Sequence, residues 1–269
     1  MNSDLATYLA AADAAIGRTT VDYCGPVHVG VDLGTAYTTV FVLDEMYQPL
    51  VGTYRFAQVV RDGLVVDFAG ATKLLRELKQ DLEQRLGFEL TSAATTYPPG
   101  VPIAEVRATR YVVESAGLHC SGVIDEPTAA NAVLQVENGA VVDIGGGTTG
   151  IAIVKDGEVV YTADEATGGT HFTLVLAGAH RISFEEAETL KLDLTAQERL
   201  FPIVRPVMEK VATIVARHIA GYSLDTLYLV GGTSAFKHID QVIATVTGVR
   251  TVVPTNPLFV TPLGVAQHN

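Results

Sequence analysis

Cysteine, positive charge and long apolar runs are all scarce in this sequence. Cys24 and Cys120 are its two cysteines, too few and too unpatterned to frame a disulfide scaffold or a zinc site, so a reducing compartment is expected. Lys and Arg number 18 against 30 Asp and Glu, a formal net charge of −12. That balance argues against a surface for nucleic acid or anionic membrane, where affinity rests on attraction between phosphate and Lys or Arg. No uninterrupted apolar run is long enough to cross a bilayer, and no basic segment leads into an apolar one at the amino terminus, so neither membrane insertion nor export is expected. With 48% hydrophobic and 18% charged residues in 269, the chain reads as globular and large enough for one large domain or two small ones. An acidic protein that binds an anion has to concentrate backbone N–H groups, or a metal, at one place.

Glycine supplies such a place. The stretch Val141-Val-Asp-Ile-Gly-Gly-Gly-Thr-Thr-Gly-Ile-Ala-Ile-Val154 reads as a strand, a tight turn and a second strand. Asp143 stands at the strand end, Gly145, Gly146 and Gly147 form the turn, and Thr148 adds a hydroxyl. Consecutive N–H groups in such a turn form a concave nest that favours phosphate, and glycine is expected there for its positive φ. A carboxylate beside phosphates is reasonable when Mg²⁺ or its water shell lies between them. The competing reading is an ordinary glycine-rich β-turn. A second hairpin bears on the choice: Val29 and Val31 lead into Asp32-Leu33-Gly34-Thr35-Ala36-Tyr37, and Thr39 to Val42 lead out. Two such hairpins in one chain imply an internal repeat, two similar halves facing each other across a cleft.

The first hairpin, Gly30 to Val40, resembles the first phosphate motif of Hsp70 chaperones, and Val141 to Val154 resembles the second phosphate motif of Hsp70 and bacterial actin homologues. Ile124 to Asn131 is similar to the first connecting helix, Leu227 to Ser234 to the adenosine motif, and Pro257 to Ala266 to the second connecting helix. The resemblance implies an α/β chain with the actin/Hsp70-type ATPase fold, ribonuclease H-like, its two lobes set around a nucleotide cleft. Implied boundaries are an N-terminal helix and linker over 1–22, lobe I over 23–137 plus 255–269, and lobe II over 138–254. Implied cofactors are ATP or ADP with Mg²⁺. Asp32 and Asp143 would hold the metal through water, and Glu126 either orients a metal-bound water or favours the dipole of its own helix. Gly34, Thr35, Ala36 and Tyr37, with Gly145 to Thr148, would hold phosphates. Gly168 and Gly169 resemble the glycine pair near them, and Glu188, Lys191, Gly231, Gly232 and Ser234 fall at the adenosine.

The intervening segments complete the expectation. Residues 2–16 read as a helix capped by Ser3, with Leu5, Leu9, Ala12 and Ile16 on one face; it either packs on the domain or detaches as a docking peptide. Asp62 to Phe68 leads into a helix over Ala71 to Leu86, Glu89 to Tyr97 reads as a strand, and Ile103 to Gly117 as a helix. Capping boxes at Ser183-Phe-Glu-Glu186 and Thr195-Ala-Gln-Glu198 start helices to about Lys191 and Tyr222. The longer one carries the core stripe Ile203, Val207, Val211, Ile214, Val215 and Ile219 and bends near Pro206. His171 is expected to face solvent or a helix end. Both subdomains that larger relatives insert are nearly absent. Gly150 stands where relatives carry an acid, Ala36 replaces a hydroxyl residue, and the water-positioning Lys or Gln has no counterpart, which implies binding with at most weak Mg²⁺-dependent hydrolysis. In length and motif wording the chain resembles most the short Hsp70-like proteins encoded with bacterial ethanolamine-utilisation enzymes and microcompartments. This implies a cytoplasmic chaperone or assembly factor for the enzymes or shell of that pathway. A non-hydrolysing scaffold like the pilus-assembly or cell-division actin homologues is the alternative, and a small-metabolite kinase ranks below both.

Overall fold

A computed structural model describes residues 3–61 and 64–269, apart from the side chains of Ser3 and Glu105. The cap expected at Ser3, and Asp62-Gly63 before the second helix, lie outside the described residues. The chain divides into two compact units, one running to Gln135 and completed by Leu258–Asn269, the other comprising Val136–Pro257.

The first unit contains α1 (Ser3–Ile16), β1 (His28–Leu33), β2 (Tyr37–Leu43), β3 (Pro49–Phe56), the short pair β4 (Val60–Arg61) and β5 (Leu64–Val65), α2 (Phe68–Leu86), β6 (Ser92–Tyr97), α3 (Ile103–Ser115), β7 (His119–Asp125) and α4 (Glu126–Leu134). The second contains β8 (Gly139–Ile144), β9 (Thr149–Lys155), β10 (Glu158–Glu165), α5 (Gly169–His180), α6 (Phe184–Leu192), α7 (Gln197–Ile219), β11 (Thr226–Val230), α8 (Ile239–Thr247) and β12 (Thr251–Val252). Helix α9 (Val260–Ala266) belongs to the first unit again. Each unit is built on a five-stranded sheet, ordered β3-β2-β1-β6-β7 in one and β10-β9-β8-β11-β12 in the other. In both sheets the hairpin strand and its outer neighbour run antiparallel, and the two strands on the other side run parallel. The repeat therefore extends from the two hairpins to whole sheets.

Local sequence explains where the elements begin. Helix α2 starts three residues before Ala71 because the Asp67 carboxylate accepts the Gly70 N–H at 2.8 Å, and Gly87, at φ 78°, ends it. Leu75, Leu78 and Leu82 of that helix pack with Val29, Val31, Val40 and Val42 of the sheet and with Val112 and Val113 of α3. Strand β6 starts at Ser92, not Glu89, since the Leu90 N–H is drawn to the Glu83 carboxylate of α2 at 2.7 Å. Leu9, Ala12 and Ala15 of α1 have no exposure. Arg18 anchors the segment after α1 by donating to the Pro49 and Leu50 carbonyls, both at 2.8 Å.

The capping box expected at Thr195 does not form. Its N–H and hydroxyl both go to the Asp193 carboxylate, at 2.9 and 2.7 Å, a local Asx-type turn that competes with the cap; α7 starts at Gln197 without a side-chain cap. Its buried face is Leu200, Val204, Met208, Val211, Ala212, Val215 and Ile219, so Ile203, Val207 and Ile214 lie beside the stripe, only partly buried. The helix continues through both Pro202 and Pro206. The box at Ser183 and Glu186 forms as expected.

Helices α4 and α9 approach backbone to backbone. A Cβ on Gly264 would lie 1.8 Å from the Ala129 carbonyl oxygen, and one on Gly30 of β1 would lie 2.4 Å from Pro262 O and Ala266 N of α9. The chain leaves the first unit just after α4 and re-enters it just before α9, so this packed pair holds both crossings. Gly264→Ala is expected to destabilise by about 3 kcal/mol or more because the neighbour is rigid backbone. Gly178→Ala, where an added methyl meets nothing within 4 Å, is expected to stabilise α5 by about 0.5–1 kcal/mol. Urea denaturation followed by circular dichroism checks both.

Candidate functional site

The two hairpins have the same construction. In the first unit Leu33 pairs with Thr38 and Asp32 with Thr39, leaving Gly34, Thr35, Ala36 and Tyr37 as a four-residue loop closed by Gly34 N–H donating to Tyr37 O at 3.0 Å. In the second, Ile144 pairs with Thr149 and Asp143 with Gly150, and Gly145 N–H donates to Thr148 O, again at 3.0 Å. Asp32 is half-buried and Asp143 is 7% exposed. Positive φ does not account for the glycines that open these loops: neither Gly34 nor Gly145 is in the left-handed region. Gly34 is needed for space, since a Cβ there would lie 2.8 Å from the Tyr37 carbonyl oxygen.

Around the Gly145–Thr148 loop the second unit builds a rigid collar. The Gly145 carbonyl accepts from Gly169 N–H at 2.9 Å and from the Thr233 hydroxyl at 2.8 Å, and the Gly146 carbonyl accepts from Thr170 N–H at 2.7 Å. A trans peptide points its N–H opposite to its C=O. With those two carbonyls fixed towards the start of α5, the N–H groups of Gly146 and Gly147 point away from it, side by side. Gly168 permits the approach, because a Cβ there would come within 2.7–2.9 Å of Gly145 O, Gly146 O and Gly147 C. Gly231 is required twice over, by φ 83° and by the Asp143 carboxylate 2.2 Å from where its Cβ would be. Gly232 opens a short 3-10 turn, and the Ser234 hydroxyl inside it is committed to the Val230 carbonyl at 2.6 Å.

Glu188 and Lys191 form a buried pair behind this collar. Lys191 Nζ donates to Glu188 at 2.7 Å and to the Thr173 hydroxyl at 3.0 Å, and Thr173 donates to Glu188 at 2.5 Å. Burial pushes the Lys191 pKa below the ordinary lysine value despite the neighbouring carboxylate. Lys191 Nζ lies 3.3 Å from the position of a Cβ on Gly169, so the pair supports the first turn of α5. His171, half-buried in that turn, accepts the Gly168 N–H.

In the first unit, Glu126 is the first residue of α4, but Asp125 caps that helix, accepting Thr128 N–H at 3.0 Å. Tyr97 is its register partner at the end of β6; burial, and then the Asp125 charge, push its phenol pKa up. The parallel strands β1, β6 and β7 thus bring Asp32, Tyr97 and Asp125 to one edge of the sheet, the carboxyl edge where open α/β sheets carry ligands. Tyr97, Asp125, Thr173 and Thr233 escape the reading of the sequence; only Asp125 has a legible signal, its capping position three residues before Thr128. No group of three or more His, Cys, Asp or Glu able to hold a metal occurs among the described residues.

Comparison with known proteins follows the same lines. The family model for type IV pilus assembly protein PilM matches residues 112–261. The ethanolamine utilization protein EutJ of Salmonella typhimurium is 48% identical over 243 residues, covering 90% of this chain and 85% of that protein. The chain belongs to the EutJ family. The crystal structure of EutJ from Carboxydothermus hydrogenoformans superposes with a TM-score of 0.94 at 45% identity, covering 99% of this chain and 98% of that one. DnaK of Akkermansia muciniphila is 30% identical over 65% of this chain, which spans 28% of that chaperone. MreB5 of Spiroplasma citri, solved bound to ADP, shares the fold at 17% identity, with a TM-score of 0.70 over 88% of this chain and 94% of that one. The EutJ-family chain therefore has the actin/Hsp70-type ATPase fold. Its inserted segments are short: only β4 and β5 stand between β3 and α2, and residues 193–196 alone separate α6 from α7. No helix among the described residues is long and apolar enough to cross a membrane.

Glu188→Ala leaves the Lys191 ammonium buried without its partner and is expected to cost about 3–5 kcal/mol. The double replacement Glu188→Leu/Lys191→Met removes both charges and is expected to recover most of that loss. Urea midpoints of the single and double variants measure the difference.

Proposed function

We propose that this EutJ-family chain binds a nucleoside triphosphate or diphosphate with Mg²⁺ and acts as a nucleotide-responsive assembly factor for ethanolamine-utilisation enzymes or their microcompartment shell. The observation that carries the reading is the pair of N–H groups of Gly146 and Gly147, turned side by side away from α5 because the carbonyls of Gly145 and Gly146 are held by it. Two neighbouring peptide N–H groups turned the same way, in a loop that ends at Thr148, fit a phosphate group. Asp143, two residues before the loop, would orient water on the metal, and the bound cation would screen phosphate charge from its carboxylate. The equivalent hairpin of the first unit offers Asp32 and the Gly34–Tyr37 loop to the same ligand class. Gly231 and Gly232 keep the adenosine side free of side chains. Ser234 serves it indirectly, by holding the 3-10 turn through Val230.

Rapid hydrolysis is not part of the proposal. Phosphoryl transfer depends on placement and charge stabilisation, and Gly150, paired with Asp143, brings no side chain to that position. Glu126 is the remaining carboxylate for ordering water, at most enough for a weak ATPase. A non-hydrolysing scaffold is the second reading, favoured by the PilM match over residues 112–261. The short inserted segments leave little to enclose a small metabolite, which disfavours a kinase.

Titration calorimetry with MgATP tests the assignment. Wild type is expected to bind, Asp143→Ala to bind about tenfold or more weakly, as loss of a water-mediated metal partner commonly does, and Gly168→Ala to lose affinity as its methyl displaces the loop. Absence of binding by wild type contradicts the proposal, and binding without phosphate release selects the scaffold.

A further inference from the structure

We infer that the outer face of α2 and α3 in the first unit is a docking surface for an acidic amphipathic helix of a partner protein. On α3, Ile103, Arg107, Arg110 and Tyr111 recur at helical spacing on the exposed side, a single stripe at i, i+4, i+7 and i+8. Ile103 is 72% exposed and Tyr111 53%. On α2, Lys73 and Arg76 face outward, and Arg76 Nη2 donates to the Ser115 carbonyl at 2.7 Å, tying the two helices into one surface. Elsewhere in the unit Arg55 pairs with Glu77, Lys79 with Glu83 and Arg85 with Asp81. Among the described residues, none of Lys73, Arg76, Arg107 and Arg110 is in an ion pair, although Arg110 also interacts with the Cys120 thiol and Glu114 is exposed one turn further along α3, in a chain whose net charge is −12.

The occupant follows from range and composition. At physiological ionic strength charges are screened beyond about 8 Å, so a short acidic segment feels the local excess of Lys73, Arg76, Arg107 and Arg110 over Glu114. An extended polyanion or a charged lipid sheet would also meet the acidic remainder of the molecule. The exposed Ile103 and Tyr111 give apolar and aromatic contact that a helix with an apolar face can use, and charges interleaved with it supply rate and specificity. The inference is independent of nucleotide binding, since neither helix carries a residue assigned to that site.

Fluorescence anisotropy tests it with a labelled synthetic amphipathic helix, Leu on one face and Glu on the other, beside its counterpart carrying Lys for Glu. The intact protein is expected to bind the Glu peptide at least about tenfold more tightly than the Lys peptide, with affinity falling as salt is added. Arg107→Glu/Arg110→Glu should abolish the preference, Arg107→Gln/Arg110→Gln should reduce it, and Lys210→Glu in the second unit should leave it. Far-UV circular dichroism verifies that each variant is folded. No binding, equal binding of the two peptides, or a preference that survives charge reversal overturns the inference. Sedimentation with phosphatidylserine vesicles in place of peptide binding also overturns it, reassigning the face to a membrane.

Discussion

Three hydrogen bonds hold the centre of the second unit: Gly169 N–H and the Thr233 hydroxyl to the Gly145 carbonyl, and Thr170 N–H to the Gly146 carbonyl. The start of a helix carries N–H groups with no partner of their own. Here two of them are spent on the glycine loop, which fixes the loop's peptide planes and so the direction in which its N–H groups face. Much of the surrounding composition follows from this contact. Gly168 has to be small to let the loop come near, Gly231 has to turn left-handed beneath Asp143, and Glu188, Lys191 and Thr173 brace the helix that does the holding.

The duplicated architecture gives this arrangement its meaning. Two sheets of the same order each present an Asp two residues before a four-residue loop closed by the same hydrogen bond. The units are not copies in detail. The loop of the second is rich in glycine and buttressed by α5, whereas that of the first carries Ala36, whose carbonyl accepts from Ala57, and Tyr37, whose ring contacts Tyr54 and Phe56.

Much of this was legible in the residues. Asp, an apolar residue and glycine between β-branched runs mark both hairpins, because those constraints act over a few neighbours, and the small residues Ala129 and Gly264 mark the helix contact through the resemblance of their motifs to paired connecting helices. What was not legible depends on partners distant in sequence. Thr233 meets Gly145 only once β11 pairs with β8, and Tyr97 meets Asp125 only through the β6–β7 register. The reason for the Gly145–Gly147 run was misread, since positive φ was a guess from residue type and none of the three lies in the left-handed region. The Thr195 cap failed because Asp193, two residues earlier, offered a stronger acceptor, and the α7 stripe was displaced because apolar residues outnumber those the core can bury.

The most direct test of the central claim reads the two peptide groups themselves. In ¹H–¹⁵N spectra of the intact protein, the amide resonances of Gly146 and Gly147 are predicted to shift on addition of MgATP or MgADP, while Gly178, in the exposed part of α5, stays still. Resonances of Gly146 and Gly147 that do not move at saturating nucleotide would contradict the account.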